Sequence, residues 1–307
     1  MKKIDKYSVS IILPNWNGEK LLSKNLDEVI RASNGAEIIV ADDASTDGSV
    51  LMLKEKFPDV IVVTNVKQQG FSGNVNSGVA RATGDIVVLL NTDVRPTKNF
   101  LDALLPHFDD PSIFAVGCLE RSHEKEGIVE RGRGLAWWEK GYFIHSKGNV
   151  TKGVTAWVSG GSGAYRKAMW DEIGGMDTSY NPFYWEDIDL SYTARKAGLK
   201  TLFEPKSIVG HFHEEGKIKT SYSSFDVNRI AYRNQFFFIW KNLSDFRILL
   251  LHIVWTPVRL LQALFYGDFM MILGFVDALL QLPRILASRN KAMQLWTRTD
   301  GELSLRV

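Results

Sequence analysis

The carboxylates of this chain fall in short clusters that directly follow apolar runs, where a parallel sheet would present them to a ligand. Asp42-Asp43-Ala44-Ser45-Thr46-Asp47-Gly48-Ser49 is the first such cluster. A carboxylate at a strand end can accept the N–H of a pyrimidine base, and backbone N–H groups at the next helix start can face a diphosphate. Helix capping by Ser45 and Asp47 accounts for the same composition. Asn91-Thr92-Asp93 is the second cluster. Its carboxylate suits Mg²⁺ or Mn²⁺ on phosphates, or a plain turn. Trp185-Glu186-Asp187-Ile188-Asp189-Leu190 opens a helix with acids where the macrodipole favours them, and one of these can act as a general base. Asp187 and Asp189 lie two positions apart, so on a helix they point different ways and are not expected to act together. His211-Phe212-His213 on a strand puts both imidazoles on one face, as structural donors or with one as a metal ligand. Trp137-Trp138, Trp157 and Phe183-Tyr184-Trp185 fit either stacking on sugar rings or filling a core.

The elements that must hold these groups are legible as alternation. Short β-branched runs at 8–13, 37–41, 60–64, 85–90 and 113–118 read as strands. Helical patterns fill 20–33, 49–57, 73–82 and 98–108. That rhythm predicts an α/β fold, a mostly parallel sheet flanked by helices, with strands buried on both faces. Residues 120–155 mix Gly, Arg and Trp with little periodicity and read as a loop-rich insertion or hairpin pair over the sheet. Order resumes over 156–215, and from Asn228 the composition turns apolar and helical.

Composition removes several classes of function. The chain has 307 residues, 45% hydrophobic and 23% charged, so it is not disordered. Lys+Arg 37 against Asp+Glu 35 is too balanced for a dedicated nucleic-acid binder, and no nucleic-acid partner is expected. A single cysteine, Cys118, excludes a disulfide framework and a Cys-based zinc site. Gly70-Phe71-Ser72-Gly73 and Asn76-Ser77-Gly78 can approach a phosphate, but no Gly-Lys-Ser/Thr follows them. The first strand is not followed by the Gly-x-Gly-x-x-Gly of dinucleotide-binding oxidoreductases. After the basic start the apolar run covers only 9–13, so no secretory signal is expected. The longest uncharged apolar run, 248–258 between Arg247 and Arg259, is shorter than a membrane span.

In order and spacing these motifs resemble the inverting glycosyltransferases of family 2, with the GT-A fold, in the branch of bacterial rhamnosyltransferases and polysaccharide assembly. The resemblance covers about residues 7–215. It is carried by Pro14-Asn15-Trp16-Asn17-Gly18, the Asp42–Ser49 cluster, Gly70-Phe71-Ser72-Gly73, Asn76-Ser77-Gly78 and Leu90-Asn91-Thr92-Asp93. Gly160-Gly161-Ser162-Gly163-Ala164, Gly174-Gly175-Met176-Asp177, Glu186-Asp187-Ile188-Asp189-Leu190, Arg195-Lys196-Ala197-Gly198 and His211 complete it. It implies a nucleotide-diphospho-sugar donor held by Pro14, Asn15, Asn17, Asp42, Gly70, Asn76, Asn91 and Thr92, with Asp42 pairing with the base. It implies a divalent metal, Mg²⁺ or Mn²⁺, held by Asp93 and His211, with His213 as the fallback. Asp187, beside Glu186, would be the general base that deprotonates the acceptor hydroxyl of a glycan or lipid-linked glycan. Activity would then fall below about pH 6 as the histidine ligand protonates. Asn91 stands where the family's metal motif often begins with Asp, and Met176 where a Phe is usual.

Residues 1–225 are expected to form the catalytic domain and 226–307 a helical, amphipathic region. Between 240 and 299 seven basic residues face three acidic ones, on a stretch that is apolar nearly all round. That pattern predicts docking on an anionic membrane surface, against the alternative of packing on the catalytic domain or forming a dimer. The expected location is cytoplasmic, peripheral on the inner face of the membrane. Two rival functions remain at this level. A nucleotidyltransferase would need a basic residue in the first loop, and 14–18 has none. A non-catalytic nucleotide- or carbohydrate-binding scaffold would not need Asp187.

Overall fold

A computed structural model of the chain describes residues 3–4, 6–124, 126–212 and 221–306; His213 lies outside them. The first half runs β1 (Lys3–Ile4), β2 (Tyr7–Asn15), α1 (Glu19–Ala32), β3 (Glu37–Asp42), α2 (Ser49–Lys56), β4 (Ile61–Thr64), α3 (Gly70–Arg81), β5 (Ile86–Leu90), β6 (Val94–Pro96) and α4 (Phe100–Leu104). The second half runs β7 (Ile113–Glu124), β8 (Gly127–Arg131), β9 (Gly134–Glu139), β10 (Tyr142–Lys147), β11 (Gly153–Val154), β12 (Ser162–Arg166), α5 (Lys167–Ile173), α6 (Glu186–Lys196) and β13 (Lys200–His211). Four helices end the chain: α7 (Ser224–Asn242), α8 (Phe246–Tyr266), α9 (Phe269–Leu280) and α10 (Leu282–Met293).

The strands alternate as their sequences require. Ile11, Leu13, Val40 and Val88 face one apolar cluster with α1 and α4. Ile12, Ile39, Val87 and Leu89 face another with α3, α5 and α6. Burial on both faces is why these strands read as unbroken apolar runs. The sheet order is β11-β13-β7-β12-β5-β2-β3-β4. Pairs β3–β4, β2–β3 and β2–β5 are parallel, as is β7–β13. Strand β12 runs antiparallel between β5 and β7, so the sheet is mixed at that point. The stretch read as an insertion consists of β8, which pairs back on β7, and the β9–β10 hairpin.

A third cluster crosses the 225/226 boundary expected from the sequence. Trp138, Tyr142, Phe143, Tyr180, Trp185 and Tyr192 pack with Phe236, Phe237, Phe238 and Ile239 of α7 and with Ala263, Met271, Ala278 and Ile285 of the later helices. Trp138 and Trp185 are therefore core residues and not a sugar platform. Ser223, Asp245 and Asp268 cap α7, α8 and α9 with their side chains, and Gly267 ends α8 in the left-handed conformation. Helix α8 is long and apolar enough to cross a membrane by length and composition, although 248–258 alone is not. Its flanking Arg259 turns back over the ring of Tyr142 at 3.9 Å.

Candidate active site

The loops after β2, β3 and β5 open on one side, and β13 with the 156–163 segment closes the other. Between them lies a cleft of about 410 Å³. Pro14, Asn15, Gly70, Asn91, Thr92, Asp93, Glu186, Asp187 and His211 all line it. Three predicted residues do not. Asp42 is fully buried beneath the wall, where its carboxylate accepts from Asn15 Nδ2 at 2.8 Å and Ser45 N at 2.9 Å. Asn17 turns outward, and its Oδ1 accepts from the N–H groups of Thr46 (2.7 Å) and Asp47 (3.2 Å), tying two loops together. Asn76 clamps Met176 through both backbone groups, Nδ2 to O at 2.7 Å and N to Oδ1 at 3.0 Å.

The carboxylate that reaches the cleft from β3 is Asp43, not Asp42. Strand parity is the reason: Asp42 shares its face with Ile38 and Val40, so the next residue shares the α3 side with Ile39. Asp43 accepts from Gln69 N (2.7 Å), Gly70 N (2.9 Å) and Asn65 Nδ2 (3.0 Å). Gly70 is needed there. Its φ is +72°, and a Cβ would lie 2.7 Å from the Asn181 side chain. Among the described residues, Asn15 Oδ1 is buried without a hydrogen-bond partner.

Asp93 and His211 meet because β6 pairs antiparallel with β13, His211 opposite Val94. His211 Nε2 lies 3.4 Å from Asp93 Oδ1, and Nδ1 lies 3.4 Å from Glu120 Oε2. Glu120 is held in turn by the Ser162 hydroxyl. Burial pushes the His211 imidazole down, but hydrogen bonds and charge from Asp93 and Glu120 outweigh it and hold it up at about 9. The donor set fits a divalent cation: one carboxylate oxygen and one imidazole nitrogen side by side, with a second carboxylate fixing the imidazole from behind. Among the described residues no group of three or more His, Cys, Asp or Glu is arranged to hold a metal by itself. Phosphate oxygens of a ligand and water would supply the remaining positions.

Across the cleft, α6 starts from a strained turn. Tyr184 and Trp185 have φ of +71° and +77°. Such bulky residues in that region cost about 1–3 kcal/mol each. The turn delivers Asp187 to the cleft, where Oδ2 accepts from Gly160 N at 3.3 Å and Oδ1 from Ile188 N at 2.8 Å. Glu186 is buried beside it, and among the described residues its Oε2 has no hydrogen-bond partner. Burial and then the charge of Asp187 drive the Glu186 carboxyl well above the usual range. Burial also raises Asp187, against the two N–H donors. The two N–H donors favour the ionised form of Asp187, the form that can accept a proton. Asp189 points away to Tyr180 and Lys241, as its spacing from Asp187 required. Phe183, Tyr184 and Tyr222 form an aromatic wall, with the Phe183 and Tyr222 ring centroids 4.8 Å apart.

The chain is similar over 217 residues, at 25% identity, to the pre-mycofactocin glycosyltransferase of Mycobacterium tuberculosis, covering 67% of this chain but only 43% of that protein. It is 24% identical over 216 residues to the N-acetylglucosaminyl-diphospho-decaprenol L-rhamnosyltransferase of the same organism, covering 60% of this chain and 70% of that one. Among solved structures, GalNAc-T7 with UDP, GalNAc and Mn²⁺ matches at a TM-score of 0.61 and 19% identity, over 78% of this chain and 48% of that chain. The mannosyltransferase of Pyrobaculum calidifontis with GDP-Man and Mn²⁺ matches at 0.55 and 17%, over 94% of this chain and 74% of that chain. These likenesses show the fold. The family model for glycosyl transferase family 2 matches residues 10–174, more than half of the chain, and the protein belongs to that family, on a GT-A fold.

Proposed function

We propose that the protein is an inverting, metal-assisted glycosyltransferase that moves a sugar from a nucleoside-diphosphate donor to the hydroxyl of a lipid-linked glycan. The observation that carries this reading is the Asp187 carboxylate, facing the same cleft as the Asp93–His211 pair. Asp187 takes the proton of the acceptor hydroxyl as that oxygen bonds to the anomeric carbon. The bond from that carbon to the diphosphate oxygen breaks, and its electron pair leaves with the nucleoside diphosphate. One displacement from the opposite face inverts the centre. A divalent ion on Asp93 and His211, when bound, would neutralise charge growing on the leaving diphosphate. Asp43 and Asn15, on the cleft wall, offer base-binding contacts, and Glu186 offers a carboxyl to a sugar or acceptor hydroxyl. A lipid-linked acceptor agrees with the decaprenol-diphosphate relative. The test is a thermal-shift panel of UDP, dTDP, GDP and CMP with Mn²⁺ or EDTA, followed by Asp187→Asn. One nucleoside diphosphate should raise the midpoint only with metal. Asp187→Asn should keep that shift while turnover drops about 10²–10⁴-fold. No shift with any nucleotide, or a fully active Asp187→Asn, would refute the reading.

The same reading includes docking on an anionic bilayer. Phe246, Leu250, Val254, Leu261 and Phe265 of α8 and Leu280 of α9 are exposed. The acids nearby turn inward, Asp277 to Arg229 and Asp268 to the Tyr232 hydroxyl, while Arg247, Arg284 and Lys291 stay exposed. An apolar face with outward charge of one sign suits anionic lipid. Flotation with phosphatidylglycerol vesicles should exceed that with phosphatidylcholine, and Leu250→Asp with Val254→Asp should abolish it. Self-association without flotation would assign the face to a second copy instead. Deleting 246–307 is unsuitable, because it strips Ala263, Met271, Ala278 and Ile285 from the shared core.

A further inference from the structure

Helix α7 carries polar side chains, Arg233, Asn234, Lys241 and Asn242, into a largely aromatic interior. Asn234 is fully buried. Its Nδ2 lies 2.7 Å from the carbonyl of Tyr180 and 2.9 Å from those of Phe183 and Tyr184. An NH₂ group has two hydrogens, so three acceptors share them. Arg233 Nε lies 2.9 Å from Asn234 Oδ1, and Nη2 lies 2.5 Å from the Asn181 carbonyl. A guanidinium only donates, so it must face the amide oxygen, which turns the NH₂ toward the three carbonyls. Those carbonyls belong to the turn that contains the positive φ angles of Tyr184 and Trp185 and ends at Glu186. A side-chain amide thus partners backbone that two left-handed residues have turned inward.

We propose that Asn234, oriented by Arg233, is a positioning residue for sugar transfer: it locks the 180–185 turn so that Asp187 enters α6 facing the cleft. This rests on Asp187 being the base. It makes α7, which lies outside the matched family segment, part of the catalytic apparatus. Asn234 does not line the cleft, and its amide bonds go to the turn and not to the donor contacts on β2, β3 and β5.

The test compares full-length Asn234→Ala and Arg233→Gln with the parent chain, by hydrogen–deuterium exchange and by kinetics. Exchange over 180–187 should accelerate at least about tenfold, since the amides there lose a buried anchor. Turnover should fall roughly 10²-fold, as expected for a base displaced by about an ångström, with the donor KM changed by less than about twofold. The midpoint shift given by the nucleoside diphosphate with Mn²⁺ should survive. Unchanged exchange in a folded Asn234→Ala chain overturns the proposal. So does faster exchange with unaltered turnover, or loss of the nucleotide shift together with turnover. If Asn234→Ala does not fold, half-buried Arg233→Gln decides by the same readings. A parent chain that transfers no sugar refutes the transferase reading instead, and the exchange measurement then judges the lock by itself.

Discussion

A buried ammonium group is one of the polar ties between the catalytic helix and the C-terminal helices. Lys241 Nζ lies 2.8 Å from Asp177 Oδ2 and 2.6 Å from Asp189 Oδ2, all three side chains being largely buried. Asp189 also accepts from Asn242 Nδ2 at 2.6 Å and the Tyr180 hydroxyl at 2.9 Å. Burial pushes Lys241 down, and the two carboxylates more than offset it. The carboxylates respond differently. Asp177, despite its burial, is held below the usual range by Lys241, Ser288 and Ser179, whereas burial keeps Asp189 above it. Lys241→Met preserves the stem and strands two carboxylates in the interior. Breaking a buried pair in this way costs about 3–5 kcal/mol. At about 2.1 cal/mol/K per residue, 307 residues unfold with an entropy near 0.6 kcal/mol/K, so the midpoint should fall by about 5–8 °C. Urea unfolding at pH 7.5 with calorimetry reads both quantities. Adding Asp189→Asn should recover part of the loss by neutralising one stranded charge. A loss below about 1 kcal/mol, the scale of an exposed pair, would show that the cluster is hydrated and refute the argument.

Two further outcomes follow from other buried groups. His252 Nε2 accepts from Trp240 Nε1 at 3.0 Å while Nδ1 lies 2.9 Å from the Gly141 carbonyl, which fixes a neutral ring. Burial, with help from Arg259, lowers it to about 4. The unfolded chain therefore binds this proton first, so the stability is complete above about pH 6.5 and is lost as pH falls toward 4. The stability gap between the parent chain and His252→Phe should narrow by roughly 2–3 kcal/mol between pH 7.5 and 4.5; a gap that does not change with pH would contradict it. Burial pushes the Cys118 thiol up to about 12, and Ser207 Oγ lies 3.3 Å from its sulfur. At pH 8 the native chain should resist thiol reagents and react only in denaturant, and rapid native labelling would show that β7 opens.

Much of the catalytic half was legible because its signals are local. The apolar runs at 8–13, 37–41 and 85–90 became β2, β3 and β5, and the polar residues after them became the cleft wall. Asp187 and Asp189 diverge as helical spacing requires. The choice between Asp42 and Asp43 was also available, since alternation along β3 decides it. Asn17, in a loop, and Asn76, on α3, do not line the cleft because a side-chain amide is equally suited to clamp backbone, and both do so.

The strands, their helices and the carboxyl ends where polar side chains collect are written locally in the chain, because hydrophobic period, capping and turn chemistry act within a few residues. Which distant groups share a site is settled by packing between elements far apart in the chain. Glu120 stands behind His211, 91 residues away, through the β7–β13 register, which shifts between Glu204 and Ile208. Asn234 finds the carbonyls of 180–184 because α7 closes the aromatic core against them. Neither contact has a local signature. A buried glutamate or asparagine is stable only where its partners already are, and the packing of distant elements sets that place.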